Sequence, residues 1–307
     1  MRLLFAGTPD VALPSLNALV ASRHDIVGVL TRPPAPAGRG RSERPSAVHA
    51  RALELGLPVV TAARLSDPGV LDALRDLGPE CCPVVAYGAL ITSDALTLPP
   101  LGWVNLHFSL LPRWRGAAPV QHAVKAGDAQ TGATTFRIDA GLDTGPILLQ
   151  ATTDIGQRET SGDLLTRLSI SGARLLVDTM DQLESGSLET QPQATDGVTL
   201  APRISVEDAR IDWACTALEV DRLVRAMTPA PGAWTMLRDE RVKIGPVEPG
   251  GRADLAPGEI AVERTTVLVG TASGDVTLSS VQAHGKRAMD AADWARGVRL
   301  APAECFA

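Results

Sequence analysis

Long hydrophobic runs are missing from this chain of 307 residues. No apolar stretch is long enough to span a bilayer. The opening Met1-Arg2-Leu3-Leu4-Phe5-Ala6-Gly7 enters a strand-and-turn pattern with no secretory apolar region before it. The expectation is a cytoplasmic protein that begins at residue 1 and has no membrane partner. Cysteine is scarce: Cys81, Cys82, Cys215 and Cys305 form no CxxC pair and have no clustered histidine. That argues against a zinc site or a disulfide framework, and no metal is expected. Cys81 and Cys82 open an apolar strand and read as core packing. The basic excess common in proteins that live on phosphate contacts is also absent, since the net charge is −6. Any nucleic-acid contact must use local patches against an unfavourable global field. No internal repeat or low-complexity tract is visible.

What is present is ordinary globular usage, 45% apolar and 21% charged, with enough chain to bury a substantial core in two domains or one large one. Short apolar runs at 3–6, 25–31, 58–61, 82–87 and 102–108 read as strands. They alternate with helical patterns at 11–22, 45–56, 69–78 and 117–127. This alternation predicts an α/β fold with a doubly wound, mostly parallel, Rossmann-like sheet. A longer helix is predicted over 164–183, with N-cap candidates at 160–163. Residues 185–200 lose all apolar periodicity and read as a linker. Beyond them, 217–227 reads as a helix capped by Thr216. The β-like runs that follow, separated by Gly, Pro and Asp turns, fit a small OB-like β-barrel. The expected boundaries are a first domain over 1–189, a linker over 190–207 and the barrel over 208–307.

Chemistry concentrates at Gly102–Ser109. Strand alternation places Asn105, His107 and Ser109 on one face and Val104, Leu106 and Phe108 on the other. Three polar side chains on an otherwise buried strand are costly unless they line a cleft. In doubly wound sheets that cleft lies at the carboxyl ends of the strands. A lone His107 reads as a hydrogen-bonded interior histidine, and Gly141-Leu142-Asp143-Thr144-Gly145 alone reads as a turn. Together, Asn105, His107 and Asp143 suit acyl transfer to an amine. Asn donates to a carbonyl oxygen, His and Asp manage the proton, and no covalent intermediate is needed. Whether Asp143 is the base or only tunes His107 stays open at this level. Ser109 lacks a nucleophile motif and suits loop hydrogen bonding.

The stretch from Asn105-Leu106-His107 through Ser109-Leu110-Leu111-Pro112 to Gly116-Ala117-Ala118-Pro119 resembles the active-site strand and loop of the 10-formyltetrahydrofolate-dependent formyltransferases. Gly141–Gly145 resembles the loop carrying their essential aspartate. The resemblance implies a folate pocket formed with Ser109, Leu110, Leu111 and Pro112, and backbone contacts from Ala86, Tyr87 and Gly88. Phe108 departs from the usual small residue or proline, for which altered packing is expected. Phe5–Asp10 and the segment 32–46, with Arg39, Arg41 and Arg44, are similar to the methionyl-tRNA members of the family. Gly285-Lys286-Arg287-Ala288-Met289 resembles their late basic turn.

That likeness implies 10-formyltetrahydrofolate as co-substrate, initiator methionyl-tRNA as partner, and no obligate protein partner. Residues 208–307 carry 12 Arg and Lys against 14 Asp and Glu, a net of −2. Any RNA surface there is thus a patch, with Arg222, Arg225, Lys286 and Arg287 as candidates. A sugar-nucleotide formyltransferase would not need the arginine-glycine loop. A non-catalytic RNA-binding protein would not need Asn105, His107 and Asp143.

Overall fold

The computed structural model describes residues 1–37, 42–252 and 254–307. They form two compact units. The first comprises Met1–Pro119, Gln130–Asp154 and Leu165–Ala201, and the second Val120–Ala129, Ile155–Leu164 and Pro202–Ala307. Among the described residues no helix is long and apolar enough to cross a membrane.

The first unit follows the expected alternation: β1 (Arg2–Gly7), α1 (Leu13–Val20), β2 (Asp25–Thr31), a β3–β4 hairpin (Ala35–Ala37 and Ser42–Arg44), α2 (Ala47–Glu54), β5 (Val59–Thr61), α3 (Val70–Leu77), β6 (Cys82–Val85), α4 (Ser93–Leu96) and β7 (Trp103–His107). The chain continues through α5 (Pro119–Ala126), which belongs to the second unit beyond Pro119, then β8 (Gln130–Arg137), β9 (Ile147–Asp154) and α6 (Ser161–Ser185), which rejoins the first unit at Leu165. Leu3, Leu4, Phe5 and Ala6 of β1 are fully buried, as a central parallel strand covered on both faces requires. Each large side chain among them contributes about 1.5–3 kcal/mol by burial. Local signals fix the helix starts. The Ser46 hydroxyl accepts from the His49 N–H at the head of α2, a cap that contributes about 1 kcal/mol.

The sheet order is β5-β2-β1-β6-β7-β8-β9. Strands β5 to β7 are parallel, and β8 and β9 run antiparallel to their neighbours. Because β1 lies between β2 and β6, the winding reverses there and opens a crevice at the carboxyl ends of the strands. The pattern of apolar runs left β8 and β9 unread. Strand β8 is threonine-rich, and two of its buried hydroxyls are satisfied inside the unit, whereas Thr131 Oγ1 has no partner among the described residues. Thr134 Oγ1 donates to the Ser109 carbonyl at 2.7 Å, and Thr135 Oγ1 lies 2.8 Å from Thr179 Oγ1. A methyl group on Gly132 would come within 2.1 Å of the Ala151 carbonyl oxygen, so only glycine allows β9 this close.

The second unit holds α7 (Ala217–Ala226), β10 (Trp234–Leu237), β11 (Glu240–Ile244), β12 (Val247–Pro249), β13 (Ile260–Val262), β14 (Val267–Thr271), β15 (Gly274–Leu278), β16 (Ser280–Ala283), β17 (Met289–Asp290) and α8 (Ala291–Val298). Its strands form two antiparallel sheets, β10-β11-β16-β17 and β12-β15-β14-β13. Thr216 caps α7 through a full capping box with Glu219. In the core, Phe306 is stacked between Trp213 at 5.6 Å and Trp294 at 5.9 Å.

Arg225 does not belong to a surface patch. It is buried, donates to Asp221 at 2.8 Å and also bonds the Glu159 carbonyl. Asp221→Ala would strand this buried guanidinium, and a loss of about 3–5 kcal/mol is expected. The shift of the unit's unfolding transition in urea measures it.

Candidate active site

Strand β7 is clamped between β6 and β8, with Asn105 paired to Val84 on one side and Phe136 on the other. Its alternation is the one read from the sequence. Leu106 and Phe108 pack against Gly172 of α6 and also border the cavity of about 610 Å³ that Asn105 and His107 line. The Phe108 ring therefore lies on the helix side of the strand. The Asn105 carboxamide has no hydrogen-bond partner among the described residues, which leaves its N–H groups for a ligand.

His107 is 5% exposed and meets the Phe136 ring edge-on at 6.3 Å. Its Nε2–H donates to the Trp114 carbonyl at 2.8 Å. That bond fixes the tautomer, because a carbonyl can only accept, and leaves Nδ1 facing the cavity. Nδ1 lies 3.8 Å from Asp143 Oδ2, too far for a direct hydrogen bond and suited to a small polar group that bridges them.

Asp143 sits in the left-handed region at φ 51°. Its Oδ2 accepts the Gly116 N–H at 2.7 Å. The flanking glycines are required. A methyl group on Gly141 would stand 2.0 Å from Thr144 Oγ1, and one on Gly145 would stand 1.8 Å from the Arg137 carbonyl oxygen. Gly116 has φ 125°, and a methyl group there would stand 2.6 Å from the Ala201 carbonyl oxygen. Asp139 Oδ1 closes the turn by accepting from Gly141 N–H and Thr144 Oγ1–H.

Burial lowers the His107 pKa below its ordinary 6.5, and the Asp143 carboxylate and the Trp114 carbonyl only partly offset this. The imidazole is thus neutral at neutral pH, with Nδ1 free to accept. A rate that needs this neutral form falls as pH drops through the shifted value, so the acid limb of kcat/KM is expected below 6.5. Asp143→Asn removes a group that raises this pKa and should move the His107 titration, followed by NMR, further down.

The other sequence-derived residues are distributed as follows. Tyr87 and Gly88 line the cavity along the turn after β6, where Ala86 and Gly88 have φ 48° and 82°. The Tyr87 ring is buried and its hydroxyl donates to the Ala62 carbonyl. Burial pushes that phenol up to about 12, so the backbone is what this residue presents. Ser109, Leu110, Leu111 and Pro112 are outside the lining. Ser109 Oγ donates to the Arg113 carbonyl at 2.6 Å, and Leu111 N–H donates to Thr134 Oγ1. They shape the loop that returns to Gly116.

Arg39 and Arg41 lie outside the described residues. Arg44 is exposed at the end of the β3–β4 hairpin, paired to Ala35. Lys286 and Arg287 are exposed in the turn between β16 and β17 of the second unit. A second titratable cluster, His24 with Asp181 and Glu184, is already charge-balanced. Arg23 contacts Asp181 at 2.6 Å and Glu184 at 2.9 Å, and the Met1 amino group pairs with Glu184.

The sequence pattern gave no signal for Gln193 and Thr199. They lie in the aperiodic stretch read as linker, yet they hydrogen-bond the two loops that carry the site.

A Rossmann-like sheet with an Asn-His strand facing an Asp loop is an arrangement suited to acyl transfer. The chain belongs to the formyl transferase family: its residues 1–180 match the formyl transferase model, and 203–299 match that of the formyl transferase C-terminal domain. A methionyl-tRNA formyltransferase of Thermobifida fusca is 57% identical over 100% of this chain and 99% of its own. One of Streptomyces coelicolor is 58% identical over 99% of each. The fold is shared with an N-formyltransferase from Helicobacter canadensis, solved with folinic acid and dTDP-3-aminofucose. Its TM-score is 0.66 at 17% identity, covering 92% of this chain and 100% of the other.

Proposed function

We propose that this cavity serves transfer of a formyl group from 10-formyltetrahydrofolate to the free amino group of initiator methionyl-tRNA. The observation that carries the reading is Asn105, His107 and Asp143 lining one cavity, in a chain 57% identical end to end to a methionyl-tRNA formyltransferase.

The residues present suit a folate. The cavity's volume of about 610 Å³ lies in the range of small-molecule sites. Ile91, Phe136 and Ile138 give it apolar walls, and the 86–88 backbone supplies polar groups for a heterocycle edge. The co-substrate supplies an electrophilic formyl carbon. Asn105 donates to the formyl oxygen as negative charge develops there. His107 Nδ1 accepts the proton shed by the attacking amine, and Asp143 Oδ2 stabilises the imidazolium so formed. The charged Nδ1–H then returns that proton to the folate nitrogen as its bond to the formyl carbon breaks, so that tetrahydrofolate leaves and the imidazole is neutral again. Asp143 is thus the partner that makes His107 a usable base despite its burial. Ser109–Pro112 serve folate binding through the loop shape they impose.

For the acceptor, Arg39, Arg41 and Arg44 reach phosphates and unpaired bases at the tRNA end, and Lys286 and Arg287 add a basic turn. The test offers labelled 10-formyltetrahydrofolate with methionyl-tRNA, with an amino sugar nucleotide, or with no acceptor. Label is expected on methionyl-tRNA alone. Label on the sugar nucleotide, or release only as formate, overturns the reading.

A further inference from the structure

Residues 191–201 follow α6, and most of them are exposed; Gln193 and Thr199 are half-buried. These two turn inward onto the two loops of the site. Gln193 Nε2 donates to the carbonyl of Asp143 at 2.7 Å and to that of Gly145 at 2.8 Å. Its Oε1 accepts from Arg115 Nε at 3.0 Å and Nη2 at 2.6 Å. Both donors and both acceptor positions of the carboxamide are thereby used. Thr199 Oγ1 accepts the Trp114 N–H at 2.8 Å, and its carbonyl accepts the Arg115 N–H at 2.9 Å. Backbone bonds between Gln191 and Ile147, and between Ala201 and Arg115, anchor the two ends of the segment.

Two of the residues so held are strained. Asp143 has φ 51° and Trp114 has φ 63°, a region that costs on the order of 1–3 kcal/mol and persists only where neighbours over-determine it. Trp114 is also the residue whose carbonyl fixes the His107 tautomer. One segment therefore braces the acid through Gln193 and the imidazole through Thr199 and Trp114.

We infer that Gln193 and Thr199 are positioning residues for the reaction, and that the 191–201 segment holds His107 and Asp143 at their working separation. This rests on the formyl-transfer reading of the same cavity. Neither residue lines the cavity, so each acts through another group.

The test uses the full chain with Gln193→Ala, Gln193→Glu, Thr199→Val and Thr199→Ser. Gln193→Glu keeps the Arg115 contact and removes both donors. Misplacing a reacting group by about 1 Å costs on the order of 100-fold. Both Gln193 variants and Thr199→Val are therefore expected to lose about 10- to 100-fold in kcat with KM for folate and tRNA nearly unchanged. Thr199→Ser, which restores the acceptor, should stay near wild type. Gln193→Ala should add no further loss in an Asp143→Ala background, because its effect passes through that residue.

The His107 ring nitrogen shifts give a reading that needs no turnover. Nε2 is protonated in the wild type, and in Thr199→Val the two tautomers should mix. Wild-type transfer tests the reaction, whereas the variant ratios and ring shifts test the segment. Full multiplicative loss in the Asp143→Ala background, loss confined to KM, or unchanged ring shifts in Thr199→Val would overturn the inference.

Discussion

His107→Ala and Asp143→Ala are each expected to lower turnover by at least ~100-fold, and Asn105→Ala to do the same. The three losses have different origins. Without His107 the cavity has no neutral base, since Nδ1 is the basic nitrogen facing it. Without Asp143 the imidazolium formed during transfer is uncompensated inside a buried site, and the Gly116 N–H loses its acceptor. Without Asn105 the formyl oxygen loses its neutral donor. All three variants should keep their folate-analogue affinity within a fewfold, because the apolar walls are untouched. Purified variants, assayed at saturating substrates, check this. Near-wild-type rates in two of the three would remove the site assignment.

The second large effect is expected at the arginine loop. Arg39→Ala should weaken productive use of tRNA by about 1–3 kcal/mol, the scale of losing a hydrogen bond to a charged group. A misplaced acceptor end denies the amine its line of attack. The combined Arg39→Ala, Arg41→Ala and Arg44→Ala variant should also flatten the salt dependence. Each phosphate contact removed takes roughly 0.7–0.9 from the slope of log K against log salt. Folate-analogue affinity should hold. Unchanged formylation at low and moderate salt would make the loop solvated surface, and would favour a small amino-sugar acceptor.

Much of this was legible in the residues, for identifiable reasons. β7 was readable because polar Asn105 and His107 alternate with buried Val104 and Leu106, so face and chemistry came from one pattern. α7 was readable because Thr216 and Glu219 form a local capping signal that needs no tertiary context. β8 was not, because its buried Thr134 and Thr135 look hydrophilic until the Ser109 carbonyl and Thr179 satisfy them, and β9 was not, because it is largely exposed and polar. β12, β16 and β17 are short, and β12 and β16 pair with β15 and β11, which are distant in sequence. The 191–201 segment was the least legible. Gln193 and Thr199 act through single side-chain bonds to loops far away in the chain, and no periodicity accompanies such contacts. Arg225 misled for a related reason: its charge suggested surface, and although Asp221 stands one turn back on the same helix, only the fold reveals that both are buried.

His107 and Asp143 are expected to move the amine proton during formyl transfer to methionyl-tRNA. A single-turnover quench experiment tests it most directly, with labelled 10-formyltetrahydrofolate and saturating methionyl-tRNA mixed with wild type or Asp143→Ala. The wild type should convert bound methionyl-tRNA to its formyl form in one phase. Asp143→Ala should bind the same tRNA with unchanged affinity and form product at least ~100-fold more slowly. Equal single-turnover rates in the two proteins would contradict the account.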